Sequence, residues 1–438
     1  MLRVPGLARN SAMSSLQAVA GAVVLFGSYK ALVMWHGPDA LGLWSLIGAF
    51  TLSIRLFDPS GGASIGRFVA IAQANEARGS TGVHSAITYA DSALIVMMML
   101  YTVMCLIAWL PIQWLLETQI DDPATLKDAM AAFPVMLALV PVIVFGTSCA
   151  DALDGIQRAD LRALAMIGGF GILAAMIFAL VPRYGLIGFA VAQVIQYLVV
   201  AVVARMLLIK KLDEAKLLPT SFNLHASKEL LRYGFKLQAA SLANTLAEPL
   251  TKVLLNHFGG LSILGIYEIS SKLVVQIRSV IVGAAVPLLP VFATETGLTK
   301  DGPGSLIRKS NRVVAMASLA MFLLSIVGGP VLSWLILDEI NTTLLEFTAI
   351  LATGFAFNTL ALPFYLQAQA TGVLKWNILG QLSIGLVTIA TGPIFATLLG
   401  GHGIVLAFAL GLSVAGAIFI LSGLIRNNIN LRNAWGID

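Results

Sequence analysis

Apolar residues run for membrane-spanning lengths along the whole chain, separated by short polar connections. A helix needs about 20 such residues to cross a hydrocarbon core of about 30 Å. Twelve stretches qualify: roughly 12–34, 42–72, 85–110, 132–150, 161–181, 185–208, 236–257, 263–292, 313–337, 346–368, 376–399 and 403–425. The second and eighth are longer than a bilayer requires, so each is expected to bend or to continue past it. The pattern predicts an all-α polytopic membrane protein of about twelve transmembrane helices. The first stretch is too long for a signal-peptide core and no A-x-A site follows it, so it reads as an uncleaved helix.

Composition agrees with the pattern. Of 438 residues, 58% are hydrophobic and 11% charged, against about a quarter charged in soluble domains. The net charge of +5 marks topology. Arg9, Arg158, Lys210, Lys211, Arg308, Lys309, Arg312, Lys375 and Arg426 fall on the side of the termini, whereas the opposite loops hold Lys127 and Arg183. By the positive-inside rule both termini are cytoplasmic, and no nucleic-acid partner is implied. Cys105 and Cys149 fall near opposite faces, which argues against a disulfide, and neither they nor the five histidines have metal-ligand spacing.

Two polar connections stand out. One, about 209–236, splits the chain into an N-terminal six-helix lobe (1–212), a cytoplasmic linker (213–235) and a C-terminal six-helix lobe (236–438). The other, on the outer side, contains LETQIDDPATLKDAMAAF and reads as a short amphipathic helix on the membrane surface, with Asp121-Asp122 as a solvated charge patch. The halves repeat. Gly37-x3-Leu41-Gly42-Leu43-Trp44 and Gly260-x3-Leu264-Gly265-Ile266-Tyr267 lie at an offset of 223, and Gly155-Ile156-Gln157-Arg158 and Gly372-Val373-Leu374-Lys375 at 217. Both members of each pair lie on one membrane side. That makes a parallel duplication, for which a site between the lobes near the midplane is the expected layout.

The charged residues inside the spans are the candidate chemistry, because each costs roughly 2.5–3.5 kcal/mol at a bilayer centre unless paired or solvated. The seventh span carries one polar stripe at helical spacing: Gln238, Ser241, Thr245, Glu248, Lys252 and Asn256. The eighth carries Glu268, Lys272 and Gln276, with Arg278 close by. At about 1.5 Å per residue, Glu248 comes level with Lys272 and Lys252 with Glu268. The four form a neutral ladder that either holds the hairpin together or lines a cavity. Pro249 removes one helical hydrogen bond beside Glu248. Arg278 has no level-matched acid in this hairpin, which makes it the better candidate for an anionic ligand.

In the first lobe, Arg55 and Asp58 share a face of the second span ahead of the Pro59-Ser60-Gly61-Gly62 interruption. They either pair with each other or serve ligand and coupling ion. Lys30 either snorkels outward or faces a cavity above the midplane. Asp91 either carries a coupling proton or sodium ion or sits at the interface. Gln196 and Asn358 either line the cavity or bond between helices. No G-x-x-x-x-G-K-[ST] motif is present, which argues against nucleotide hydrolysis, and no pair of acids in a substantial external loop supports a glycosyltransferase.

The segments ASLANTLAEPLTKVLLNHFGG and GIYEISSKLVVQIRS, with GGASIGRFVAIA, ALDGIQRADLRA and ATGVLKWNI, resemble the bacterial oligosaccharide flippases. These are the Wzx-type polysaccharide transporters of the multidrug/oligosaccharidyl-lipid/polysaccharide exporter superfamily. The resemblance runs from about residue 10 to 425. It implies two six-helix lobes around a cationic cavity and alternating access, without catalytic residues or a bound cofactor. The cargo it implies is an undecaprenyl-pyrophosphate-linked oligosaccharide crossing the inner membrane, driven by a proton or sodium gradient. Membrane lipids, a polysaccharide polymerase and chain-length proteins are the implied partners. Family-like cavity positions fall on Arg55, Glu248, Lys252, Lys272 and Arg278. Pro59 departs from the smoother Asp-x-Gly run expected there. A cation-coupled drug or metabolite exporter of the same superfamily is the alternative reading.

Overall fold

A computed structural model describes residues 7–54, 63–77, 85–212, 218–285, 288, 292 and 304–435. Among the described residues the regular structure is helical throughout: α1 (Leu7–Ile54), α2 (Ala63–Ala77), α3 (Ala86–Gln119), α4 (Pro123–Gly155), α5 (Ala159–Leu212), α6 (Leu224–Ala285), α7 (Gly304–Leu337), α8 (Thr342–Leu360), α9 (Leu362–Ala370), α10 (Lys375–Leu399), α11 (Gly401–Asn427) and α12 (Leu431–Trp435). Three helices contain two spans each, broken at glycines with positive φ: Gly37 in α1, Gly185 in α5 and Gly260 in α6. Helix α2 continues the second apolar stretch, and α8 and α9 together form the tenth. Among the described residues each of the twelve predicted spans coincides with helix, wholly or in part, in a polytopic helical fold.

Contacts divide the chain into two compact units, Met1–Gly37 with Ile47–Leu242, and Pro38–Leu46 with Ala243–Asp438. In the first, Ile65, Val69, Leu94, Leu153 and Leu208 pack into a buried core that also takes Ala226 and Leu230 from the start of α6. In the second, Ile307, Val314, Phe364 and Ala434 form a core that seats the terminal helix α12.

Backbone geometry reveals the repeat more clearly than residue identity does. Gly37 (φ 79°, ψ 171°) and Gly260 (φ 78°, ψ 176°) adopt the same conformation at the offset of 223; this region is essentially closed to side chains. Later in the chain Gly185 (φ 51°, ψ −129°) matches Gly400 (φ 56°, ψ −135°) at an offset of 215. Gln157 (φ 58°) matches Gly372 (φ 76°) at the same 215. The offset of 217 read from the second motif pair is thus corrected by two residues. The left-handed residue that ends the helix is Gln157 in one copy and Gly372 in the other, so aligning glycine on glycine slips the register.

Two further expectations are corrected. The external amphipathic helix does not exist as a separate element: α3 runs to Gln119 and α4 starts at Pro123. Asp122 is the N-cap of α4, accepting from the Thr125 hydroxyl at 2.6 Å and amide at 2.8 Å. Those bonds hold its carboxyl below the usual range. The polar connection of 209–236 is shorter than it reads, because α6 begins at Leu224 and continues through it.

In each unit a late segment docks back on a long helix of the same unit. In the first unit, Asp91 Oδ2 of α3 accepts from the amides of Thr220 and Ser221, both at 3.0 Å, and Ser92 Oγ from that of Asn223 at 3.0 Å. In the second, Arg308 Nε, Asn311 Nδ2 and Arg312 Nε of α7 donate to the carbonyls of Asn433, Ala434 and Trp435 at 3.1, 2.9 and 2.9 Å. The polarity inverts because α3 receives the amides leading into a helix start and α7 the carbonyls of a helix end.

Candidate functional site

The charged groups of α6 gather in the second unit. Pro249 lies within the continuous helix, and the reversal at Gly260 sets the two spans of α6 side by side. Lys252 Nζ then stands 2.9 Å from Glu268 and 3.0 Å from Glu248, and Lys272 Nζ 3.1 Å from Glu248 and 3.6 Å from Glu268. The level pairing expected from helical rise is what forms, and the diagonals close it into a ring of four. Its two rungs differ in exposure. The side chains of Lys252 and Glu268 are 6% and 4% exposed, those of Lys272 and Glu248 26% and 35%. Ser45 completes the inner rung by donating its hydroxyl to Glu268 Oε2 at 2.7 Å. Ser45 and Glu268 are themselves 223 residues apart, the repeat offset.

Ser45 reaches Glu268 because α1 crosses α6 at two glycines. A Cβ on Gly42 would stand 1.9 Å from the Leu261 carbonyl oxygen, and one on Gly265 2.3 Å from the Pro38 carbonyl oxygen. Neither position accepts any side chain without backbone movement.

Arg278 sits further along α6, six residues or about 9 Å beyond Lys272. Its Nη2 donates to Asn358 Oδ1 at 2.9 Å and its Nε to Thr359 Oγ1 at 3.3 Å. Its guanidinium lies 5.3 Å from the centre of the Phe355 ring. Residues 355, 358 and 359 form one face of α8, and all three are neutral. Among the described residues no carboxylate pairs with Arg278. Its charge is therefore not balanced by an ion pair among those residues.

The other candidates are placed differently. Arg55 and Asp58 fall outside the described residues, as do Pro59 and the side chains of Gln238, Ser241 and Thr245. Lys30 is half-buried on α1 in the first unit. Asp91 is 2% exposed and its Oδ1 lies 2.7 Å from Arg205 Nη1, while its other oxygen holds the connector amides. Both carboxylate oxygens are engaged, an arrangement that anchors structure. Gln196 is buried against Gly169, and Asn358 bonds between helices. Asp151 and Asp154 share Arg162, at 3.5 and 3.2 Å. Ser45, Thr359 and Phe355 were not anticipated from sequence. A serine at the repeat position of Glu268 was the available signal for the first; nothing marked the other two. No group of metal-ligating side chains is found among the described residues.

Comparison with known proteins bears on this arrangement. Among solved structures, an inward-facing multidrug resistance MATE family transporter of the MOP superfamily superposes with a TM-score of 0.76 at 17% identity, covering 94% of each chain. The lipid II flippase MurJ in an inward closed conformation gives 0.69 at 13%, covering 97% of this chain and 88% of its own. A MOP superfamily transporter from Pyrococcus furiosus, described as having reverse polarity of its binding pocket, gives 0.57 at 18%, covering 94% and 95%. At these identities the likeness establishes the fold. No curated protein matches the sequence. The model of a family described as polysaccharide biosynthesis protein matches residues 8–295, about two-thirds of the chain. The chain is a multi-pass membrane protein that shares the fold of these structures, and it belongs to the polysaccharide biosynthesis protein family.

Proposed function

We propose that this protein is a flippase. It moves an undecaprenyl-pyrophosphate-linked oligosaccharide across the inner membrane for surface polysaccharide synthesis, by alternating access. The observation that carries the reading is Arg278, a cation in the second span of α6 held by an amide, a hydroxyl and a ring, with no acid paired to it among the described residues. Burying an uncompensated charge is costly, and such residues in membrane spans mark ligand paths. A guanidinium offers bidentate contacts that match a diphosphate. The four-charge ring is neutral as a whole, and its open rung, Glu248 and Lys272, faces a less buried environment where sugar hydroxyls can exchange hydrogen bonds with it. The family match to polysaccharide biosynthesis and the fold shared with MurJ support the same cargo class. The loop charges support a cytoplasmic position for both termini.

The test is complementation of a deletion strain. Arg278→Ala should insert at wild-type abundance, abolish surface polysaccharide and leave lipid-linked repeat units accumulating inside. Full polymer output from the variant would sink the assignment. Drug sensitivity on deletion, with an unchanged glycan, would instead favour a cation-coupled exporter.

A further inference from the structure

Asn358 lies on α8, 6% exposed, with both ends of its amide engaged. Its Nδ2 donates to the Leu412 carbonyl of α11 at 3.1 Å, and its Oδ1 accepts from Arg278 Nη2 at 2.9 Å. The first bond fixes the second: only the amide nitrogen can face a carbonyl, so the oxygen must face the guanidinium. Thr359 Oγ1 takes Nε on the same side. The Nε and Nη2 donors of the guanidinium are thereby taken by neutral acceptors, which leaves Nη1 without a hydrogen bond among the described residues. An aspartate at 358 has almost the same shape but would do two things. It would set a carboxylate oxygen against the Leu412 carbonyl, and it would neutralise Arg278.

We infer that Asn358 is a specificity-determining positioning residue: by holding Arg278 through a neutral oxygen it aims the free end of the guanidinium at a diphosphate or similar dianion while keeping the charge available. The inference rests on the flippase reading, since it presumes that Arg278 binds an anion. It adds that the neutrality of position 358, beyond its capacity for hydrogen bonding, sets affinity. An acid there would turn an anion site into a closed ion pair of the kind seen at Lys252 and Glu268.

The experiment uses the full chain purified in detergent, with farnesyl diphosphate as probe and farnesol as its uncharged control. Wild type should bind the diphosphate and prefer it to the alcohol. Asn358→Asp should weaken diphosphate binding at least tenfold in protein that still folds, while Asn358→Ser, which stays neutral, should stay within about threefold of wild type. If N358D does not fold, Thr359→Asp puts the carboxylate on Nε and should give the same tenfold loss. Equal affinity for N358D and wild type, or equal losses in N358D and N358S, would overturn the inference and reduce Asn358 to a packing role. A wild-type protein that binds the diphosphate no better than the alcohol would remove the flippase reading, and the inference with it.

Discussion

Helix α6 carries lysines and an arginine within a few turns of each other, and the protein treats them in opposite ways. Lys252 and Lys272 each touch two glutamates, so every charge in the ring has its complement. Arg278 is surrounded as closely, yet by an amide, a hydroxyl and an aromatic face. Both arrangements satisfy hydrogen bonds, but only the first satisfies charge. In a low-dielectric span the difference is large, because a neutral acceptor solvates a cation without cancelling its field. On the flippase reading, the buried rung of the ring holds the hairpin and Arg278 is the part left for a ligand.

Breaking the ring from its buried side should cost most. Lys252→Met leaves Glu268 buried beside one lysine at 3.6 Å, and should destabilise the protein by about 3–5 kcal/mol. The melting temperature in detergent reads this, and adding Glu268→Leu to the same protein should recover most of the loss. A Lys252→Met protein as stable as wild type would erase the distinction between ring and ligand site. Ser45→Ala should cost about 1.5–3 kcal/mol, the range for a hydrogen bond to a charged group. The open rung should matter least to stability. Lys272→Met should cost about 1 kcal/mol, since its side chain and that of Glu248 are partly exposed. Its effect on polysaccharide export then tells whether the open rung meets cargo: reduced export at near-normal stability places it there, and normal export confines the ring to structure.

Much of this was legible in the residues. Hydropathy located twelve spans, and the level pairing of Glu248 with Lys272 and Lys252 with Glu268 followed from spacing and helical rise alone, because the partners share one hairpin. Arg278 stood out as unpaired for the same reason. Its actual partners were not legible, since Asn358 and Thr359 come from 80 and 81 residues away and nothing local selects them among other polar side chains. The external segment misled because Leu116 to Phe133 is amphipathic across a cap: two helix ends and a tight turn produce the same periodicity as one surface helix. The repeat register misled because a glutamine occupies a left-handed position where its copy has glycine.

The crossing of α1 and α6 bears on the history of the molecule. Gly42 meets Leu261 and Gly265 meets Pro38, and each contact turns into the other when both residues are shifted by the repeat offset. Such reciprocity is what an isologous interface between two identical subunits produces. A half-length ancestor carrying one copy of this segment would have self-associated through it, with a single glycine serving both sides. In such an ancestor, positions 45 and 268 would have been one codon facing itself across the axis, where two glutamates would repel and two serines would leave the lysines unmatched. Gene fusion would have freed the two positions to diverge. The bond from Ser45 to Glu268 is thus one that a symmetric homodimer could not have made.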